Sequence, residues 1–471
     1  AAALGRDGTW PRLRAAGEHA GLPEPPAELG HFLVTSDVGE LLFTEARYAH
    51  VAEPTPAVHR AVMEALQQDG APAHRVAHHA LRTGDAALAV DPLVAGLGSA
   101  YQAGDTSEAR TLLDAWPAVV QAAGLADDDP RQATALYQAT VIDWWREEQA
   151  VGWARRLRAL ATDPQLRAYA RLAELRAFHQ RRSKQHPDQP EPIDADEIAS
   201  LSAATAGPDA VVAAEAAWTE AVLHDLRGDM DAKTEAMARS FAAGLRSGDP
   251  DQEVKALFVH ALDLVDRGRL EEGAEGFVRA AERGAEVGST RRQLSATRGA
   301  SAFLRVVGRL EEARQMSIRA VRLGRHADEP LQELDLALLD YATGRTEAAR
   351  SGVRRVQGLM STRSRDTQWL RRAGLTARVV LEADSLPDAD YAPLVDGLVE
   401  QLSRGISRQV QLGWFLEEGA VAAGRAGRSD RARWLGELAM HWYRQAGQED
   451  IAQRVRRRLH EVAGPAAVPP A

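Results

Sequence analysis

Between about Ala214 and Ala349 the chain writes one apolar and polar pattern four times. A leucine-rich or aromatic stretch with helical spacing runs into a turn, and a charged, small-residue stretch with the same spacing follows it. The turns read Gly228-Asp229, Gly268-Arg269-Leu270-Glu271-Glu272-Gly273, Gly308-Arg309-Leu310-Glu311-Glu312-Ala313 and Gly344-Arg345-Thr346-Glu347-Ala348-Ala349. Successive turn glycines are 40, 40 and 36 residues apart. A fixed period in that range marks a stack of supersecondary units. Each unit reads as two helices: the first ends at a glycine able to take positive φ, and the second carries a small residue (Gly273, Ala313, Ala349) where the two backbones approach.

The frame extends in both directions. Gly104-Asp105-Thr106-Ser107-Glu108-Ala109 fits it upstream, 124 residues before Gly228, and Gly427-Arg428-Ser429-Asp430-Arg431-Ala432 fits it downstream, 83 residues after Gly344. Weaker turns near Glu148, Pro187 and Leu386 stand where the missing units belong, which predicts about nine helical pairs. The pattern resembles the tetratricopeptide repeat, with a period near 40 where that family has 34. The expected fold is all-α: a right-handed α-solenoid of tetratricopeptide-like hairpins over residues 71–464, interrupted by an irregular, proline-bearing loop at about 181–197 that is expected to be mobile. Residues 465–471, Pro465 to Ala471, have linker composition.

Residues 1–70 do not follow the repeat. Trp10 to Leu22 predicts a helix broken by Pro23-Glu24-Pro25-Pro26. Leu29 to Val34 and Glu40 to Phe43, joined through Asp37-Val38-Gly39, predict a helix end and a β-hairpin, and Ala57 to Gln68 predicts a helix with Val58, Ala61, Val62, Ala65 and Leu66 on one face. Helix, hairpin, helix in about 70 residues reads as a small winged-helix-like module. Leu29-Gly30-His31-Phe32-Leu33, Leu42-Phe43, Val58-His59-Arg60-Ala61-Val62 and Ala77-His78-His79-Ala80-Leu81-Arg82-Thr83-Gly84-Asp85 resemble the region that follows the ATPase in STAND-type, large ATP-binding regulators of the LuxR family. Trp442-Tyr443-Arg444-Gln445-Ala446-Gly447 and Ala452 to Gly464 resemble the last solenoid helices before that family's DNA-binding domain. The segment from Phe43 to His59 is shorter than the family's and carries two prolines.

The resemblance implies the sensor part of a transcriptional regulator, controlling an ATPase and a DNA-binding domain that this chain lacks. None of the three lysines, Lys184, Lys233 and Lys255, follows a glycine, so a P-loop is absent. The chain starts at Ala1 without a methionine, as expected of a piece of a longer protein. Composition narrows the classes further. There is no cysteine, which removes disulfides and thiolate chemistry, and a formal charge of −10 argues against a broad nucleic-acid surface. No apolar run reaches membrane-spanning length and no signal peptide is visible, so a cytoplasmic protein without direct membrane contact is expected. Its expected partners are an effector and its own missing domains, and a homodimer is compatible with the sequence.

Chemistry-bearing clusters are sparse. His74, His78 and His79 have metal-ligand spacing but no carboxylate between them, and a structural role is the competing reading. Asp127-Asp128-Asp129 reads as a calcium loop without its closing glutamate, or as a helix cap. Arg454, Arg456, Arg457 and Arg458 read as a basic patch or a solvated helix face. No nucleophile has an adjacent base, so no catalysis, metal or cofactor is expected.

The repeat register supplies the binding-site expectation. With each turn glycine at position 15 of its unit, positions 2, 5, 9 and 12 of the first helix face the groove of a tetratricopeptide-like superhelix. Position 5 holds Trp218, Phe258 and Arg298; position 12 holds Tyr101, Trp145, Asp225, Arg305 and Tyr341; position 2 of the last unit is Trp414. Aromatics beside arginines would take an apolar or anionic small molecule or an extended peptide. The alternative is that these rings pack between repeats, leaving a passive protein scaffold.

Overall fold

The computed structural model describes residues 33–35, 41–43, 55–143, 146–185, 192–324, 331–361, 368–403 and 405–464. The predicted helix at Trp10 to Leu22 and the linker at 465–471 lie outside them. The predicted hairpin is present: β1 (Leu33–Thr35) pairs antiparallel with β2 (Leu41–Phe43), Val34 opposite Leu42.

Packing divides the chain between Phe178 and His179 into two units. The first holds α1 (Pro56–Gln68), α2 (Ala73–Ala80), α3 (Ala86–Gln102), α4 (Thr106–Ala123), α5 (Pro130–Ile142), α6 (Glu147–Leu160) and most of α7 (Pro164–Gln185). Its core gathers Leu66, Leu93, Leu97, Leu112, Leu113 and Trp116. α1 buries Ala61, Val62, Ala65 and Leu66, the face its periodicity predicts. The irregular stretch is shorter than expected, because Arg181 to Gln185 continue α7 as helix; no proline interrupts that segment.

The second unit contains α8 (Ala195–Thr205), α9 (Ala210–Arg227), α10 (Met230–Arg246), α11 (Pro250–Asp266), α12 (Leu270–Glu286), α13 (Thr290–Val306), α14 (Leu310–Gly324), α15 (Leu331–Ala342) and α16 (Thr346–Ser361). α17 (Gln368–Leu381), α18 (Asp388–Leu402), α19 (Ile406–Arg425), α20 (Ser429–Gln445) and α21 (Glu449–Ala463) complete it. Within the units eight successive pairs of described helices pack together, α3 with α4 and α5 with α6 in the first and α9 with α10 through α19 with α20 in the second, against about nine that the repeat predicts. The architecture is an all-α stack of helical hairpins, an α-solenoid of tetratricopeptide-like units.

The 40-residue period has a simple origin. α11 and α12 each have 17 residues and each is followed by a three-residue turn. α11 begins at Asp249, whose carboxylate accepts from the amides of Asp251 and Gln252, with Pro250 at the first helical position. It ends where Gly268 takes φ 77° and the Arg269 amide returns 2.9 Å to the Leu264 carbonyl, a Schellman closure. Gly104, Gly228, Gly308, Gly344 and Gly427 repeat the positive φ. The small residue five positions on is required as predicted: a Cβ on Gly273 would stand 2.5 Å from Val265 Cγ2 and 3.0 Å from the Ala261 carbonyl. Ala313 and Ala349 occupy the same place, fully buried.

Candidate functional site

The first helices of consecutive repeats, α9, α11 and α13, place register positions 2 and 5 side by side. Trp218 of α9 is half-buried beside Phe258 and Leu262 of α11, over a floor of Ala221, Ala236, Met237 and Val259. Phe258 meets Phe277 edge to face at 5.2 Å, and Phe277 stacks on Phe303 at 5.5 Å, so the exposed strip is backed by a rigid aromatic column. Arg298 continues the strip on α13, also half-buried.

One edge of this strip is ionic. Lys255 Nζ lies 2.6 Å from Glu215 and 5.9 Å from the Trp218 ring centroid. Gln252 donates to Glu215 at 3.2 Å, and Arg292 reaches both Glu215 at 3.7 Å and Asp251 at 3.1 Å. Burial by itself would raise the Glu215 pKa; Lys255, Arg292 and the hydrogen bonds override it and hold the carboxyl at about 2. Glu215 and Lys255 are 40 residues apart at register position 2, so the repeat itself brings acid and base together. They were not singled out from sequence, although the register carried the signal.

The other end of the face is covered by the chain itself. α19 packs on α11 and α13. The Arg305 guanidinium lies 4.6 Å from the Trp414 ring centre and 5.0 Å from that of Phe415, and pairs with Asp335 at 2.9 Å. Arg305 is 2% and Trp414 1% exposed. Behind Trp414 lie Glu417 and Glu418, each 1% exposed and answered by arginines of α21: Arg458 Nη1 donates to Glu417 at 2.9 Å, its Nη2 to Glu418 at 3.1 Å, and Arg454 to Glu417 at 3.3 Å. Burial pushes the Glu418 carboxyl above its ordinary range, against the pull of Arg458.

The nine residues expected on one groove therefore separate, and Asp225 among them is paired with Lys233 at 2.7 Å. Trp218 and Phe258 come together, and Arg305 and Trp414 come together as a buried cation–aromatic contact. The expectation of groove-lining is corrected for three of them: Arg305 and Trp414 are covered by packing between α13 and α19, and Tyr101 is buried in the first unit's core. Their sites are desolvated because neighbouring helices close over them. Tyr341 is half-buried against the second unit's core, and burial raises its phenol pKa. Trp145 lies outside the described residues.

The remaining clusters resolve into structure. The three histidines do not converge: His74 meets Ser99 at 3.0 Å, His78 meets Glu108 at 2.9 Å, and His79 meets His59 at 2.9 Å, with burial pushing His79 down to about 3. Asp129 caps α5, accepting from the Arg131 amide at 2.9 Å. Of the four arginines, Arg454 and Arg458 turn inward onto Glu417 and Glu418, while Arg457 is exposed and Arg456 half-buried. Between α10 and α11 a shallow cavity of 280 Å³ is lined by Phe241, stacked on His260 at 4.7 Å; its rim arginines, Arg267 and Arg269, are held by Asp263 and Glu272. Among the described residues no group of three or more acidic or histidine side chains is placed to hold a metal ion, and no helix is long and apolar enough to cross a membrane.

No protein-family model and no curated protein matches the sequence. Solved structures similar to it include a Rap protein complexed with Competence and Sporulation Factor, at 12% identity over 81% of this chain and 99% of that one, TM-score 0.46. A STAND protein with a tetratricopeptide repeat sensor from Pyrococcus horikoshii is similar at 9% identity over 96% of this chain and 64% of its own, TM-score 0.41. A human IFIT1 dimer with PPP-AAAA is similar at 10% identity over 88% of this chain and 92% of its own, TM-score 0.44. These likenesses add nothing to the helical-repeat architecture that the helices themselves establish, and they do not bear on what this chain binds.

Proposed function

We propose that this chain is the sensor and interaction region of a bacterial transcriptional regulator of the STAND, LuxR-like type, binding a peptide or small effector on the face shared by α9, α11 and α13 and controlling a neighbouring ATPase and DNA-binding domain. The observation that carries the reading is the half-buried Trp218–Phe258 strip beside the Glu215–Lys255–Arg292 chain of charges. Aromatic faces with a defined ionic edge bind ligands by stacking and by oriented polar contacts. An effector can shift such a module only by binding one of its states better than the other. Titration of the chain with effector-class compounds and peptides, followed by tryptophan fluorescence and native mass, tests this. Ligand-sized added mass, lost in Trp218→Ala and Phe258→Ala variants that keep wild-type helicity, supports the reading; binding unaffected by both variants sinks it.

A passive protein scaffold is the second reading. It is favoured by the covered end of the face, where Arg305 is occupied by Trp414 and Phe415. Mass added by a protein partner alone, with no small molecule or short peptide bound, would select it.

A further inference from the structure

α21 is the last described helix of the second unit, and both apolar packing and long-range polar contacts hold it. Its buried apolar side chains are Ala452, Val455 and Leu459, one narrow stripe. α19, in contrast, buries fourteen residues. Ile451, Val462 and Ala463 add partly buried apolar contact, and the polar part of α21's anchorage reaches far back in the chain. Gln448, the residue before the helix, donates 2.9 Å to the carbonyl of Gly268, and Arg454 donates 2.8 Å to the carbonyl of Val306. These contacts span 180 and 148 residues of sequence. They land in two successive repeats, one on the hairpin turn of α11–α12 and the other at the end of α13, two residues before the turn glycine of α13–α14.

The turn glycines are fitted to this contact as well as to their own φ. A Cβ on Gly268 would stand 3.0 Å from Gln448 Nε2, and one on Gly308 3.0 Å from Arg454 Nη1. On its other flank α21 is held by the arginine pairs to Glu417 and Glu418. Charge-assisted bonds of this kind hold a helix only while water is kept away from them. α21 is joined to α20 through a single turn at Gly447, φ 74°, so it can swing away without unthreading any other helix. Once it leaves, water reaches the two carboxylates, which offsets much of the lost pairing.

We propose that α21 is a detachable strap: it opens as a unit ahead of the rest of the second unit, and its closure is set by the turns at Gly268 and Gly308, so that the C-terminal end of the chain senses the geometry of the α11–α14 hairpins. The coupling requires no particular effector and stands apart from the ligand reading above. Local opening is the general behaviour of low-stability segments; here the two carbonyl contacts act beside the arginine pairs to Glu417 and Glu418.

Hydrogen–deuterium exchange on the full chain tests it, comparing wild type with Gln448→Met and with Gln448→Met/Arg454→Ala. In wild type the α21 amides are expected to exchange together and about tenfold or more faster than those of α19. Gln448→Met should raise α21 exchange several-fold and the double variant by about tenfold, with faster exchange also in the turns at 266–270 and 306–310 and no change in α9 or in the first unit. Exchange of α19, α20 and α21 as one block would overturn the proposal, as would α21 protection unchanged in both variants. A double variant that loses helix throughout would place α21 in one cooperative core and overturn it equally.

Discussion

Register position 5 holds Trp218 in α9 and Glu417 in α19, and the two environments are inverted. In α9 an aromatic ring stays half-exposed beside buried charges; in α19 a carboxylate is sealed in and the aromatic next to it, Trp414, is fully covered. The same helix face is presented in both repeats. What differs is the cover: α19 packs on α11 and α13 while α21 lies over its charged side, whereas the strip at Trp218 keeps access to solvent. A repeat register therefore assigns a face, and the return of the chain decides whether that face is a surface or a core.

Substitutions can break this contrast. The largest effect is expected from Trp414→Ala, which empties a fully buried site and leaves Arg305 covered by Phe415 alone; about 3–5 kcal/mol should be lost in denaturant unfolding. Trp218→Ala should cost less, about 2 kcal/mol by the same measurement, because part of that ring already faces water. Equal losses would mean that the two faces are covered alike.

Next comes the charge cluster. Arg458→Ala removes the arginine that pairs with both buried carboxylates, leaving Glu417 to Arg454 and the Tyr443 hydroxyl, and should cost about 3 kcal/mol at neutral pH. Glu418→Gln should be neutral or stabilising at the same pH: its carboxyl is pushed up by burial, so folding favours the protonated form and the charged form works against stability as pH rises. Urea midpoints of the two variants moving in the same direction would refute this assignment.

A pH dependence sharpens the comparison further. Glu215 has the opposite shift, held at about 2 where its ordinary value is 4.5, so its contribution is present above 4.5 and is lost as pH falls from there through 2. Wild type should exceed Glu215→Gln by on the order of 2 kcal/mol at pH 6, with the gap closing by pH 2. A gap independent of pH would show that the Lys255 pair is not what holds Glu215 in the fold.

Much of the architecture is legible in the chain. The turn glycines, the small residues at Gly273, Ala313 and Ala349, and the hairpin of β1 and β2 all appear where predicted. Two further inter-repeat turns, Gly248 and Gly288, take positive φ 40 residues apart and could have been found by the same rule. The site was less legible. Glu215 and Lys255 stand in the register but are not aromatic, the property that marks a groove there, while at Tyr101, Arg305 and Trp414 packing fills the groove that the register predicts. Arg454 to Val306 and Gln448 to Gly268 leave no local mark at all.

The sequence by itself determined the unit. Positive φ, close approach of two backbones and helical periodicity are constraints among residues a few positions apart, and each repeat restates them. Tertiary structure alone decided where the stack meets itself. That depends on small angles accumulated over several hairpins, which no residue encodes locally, and it places α19 and α21 against repeats about 150 residues upstream.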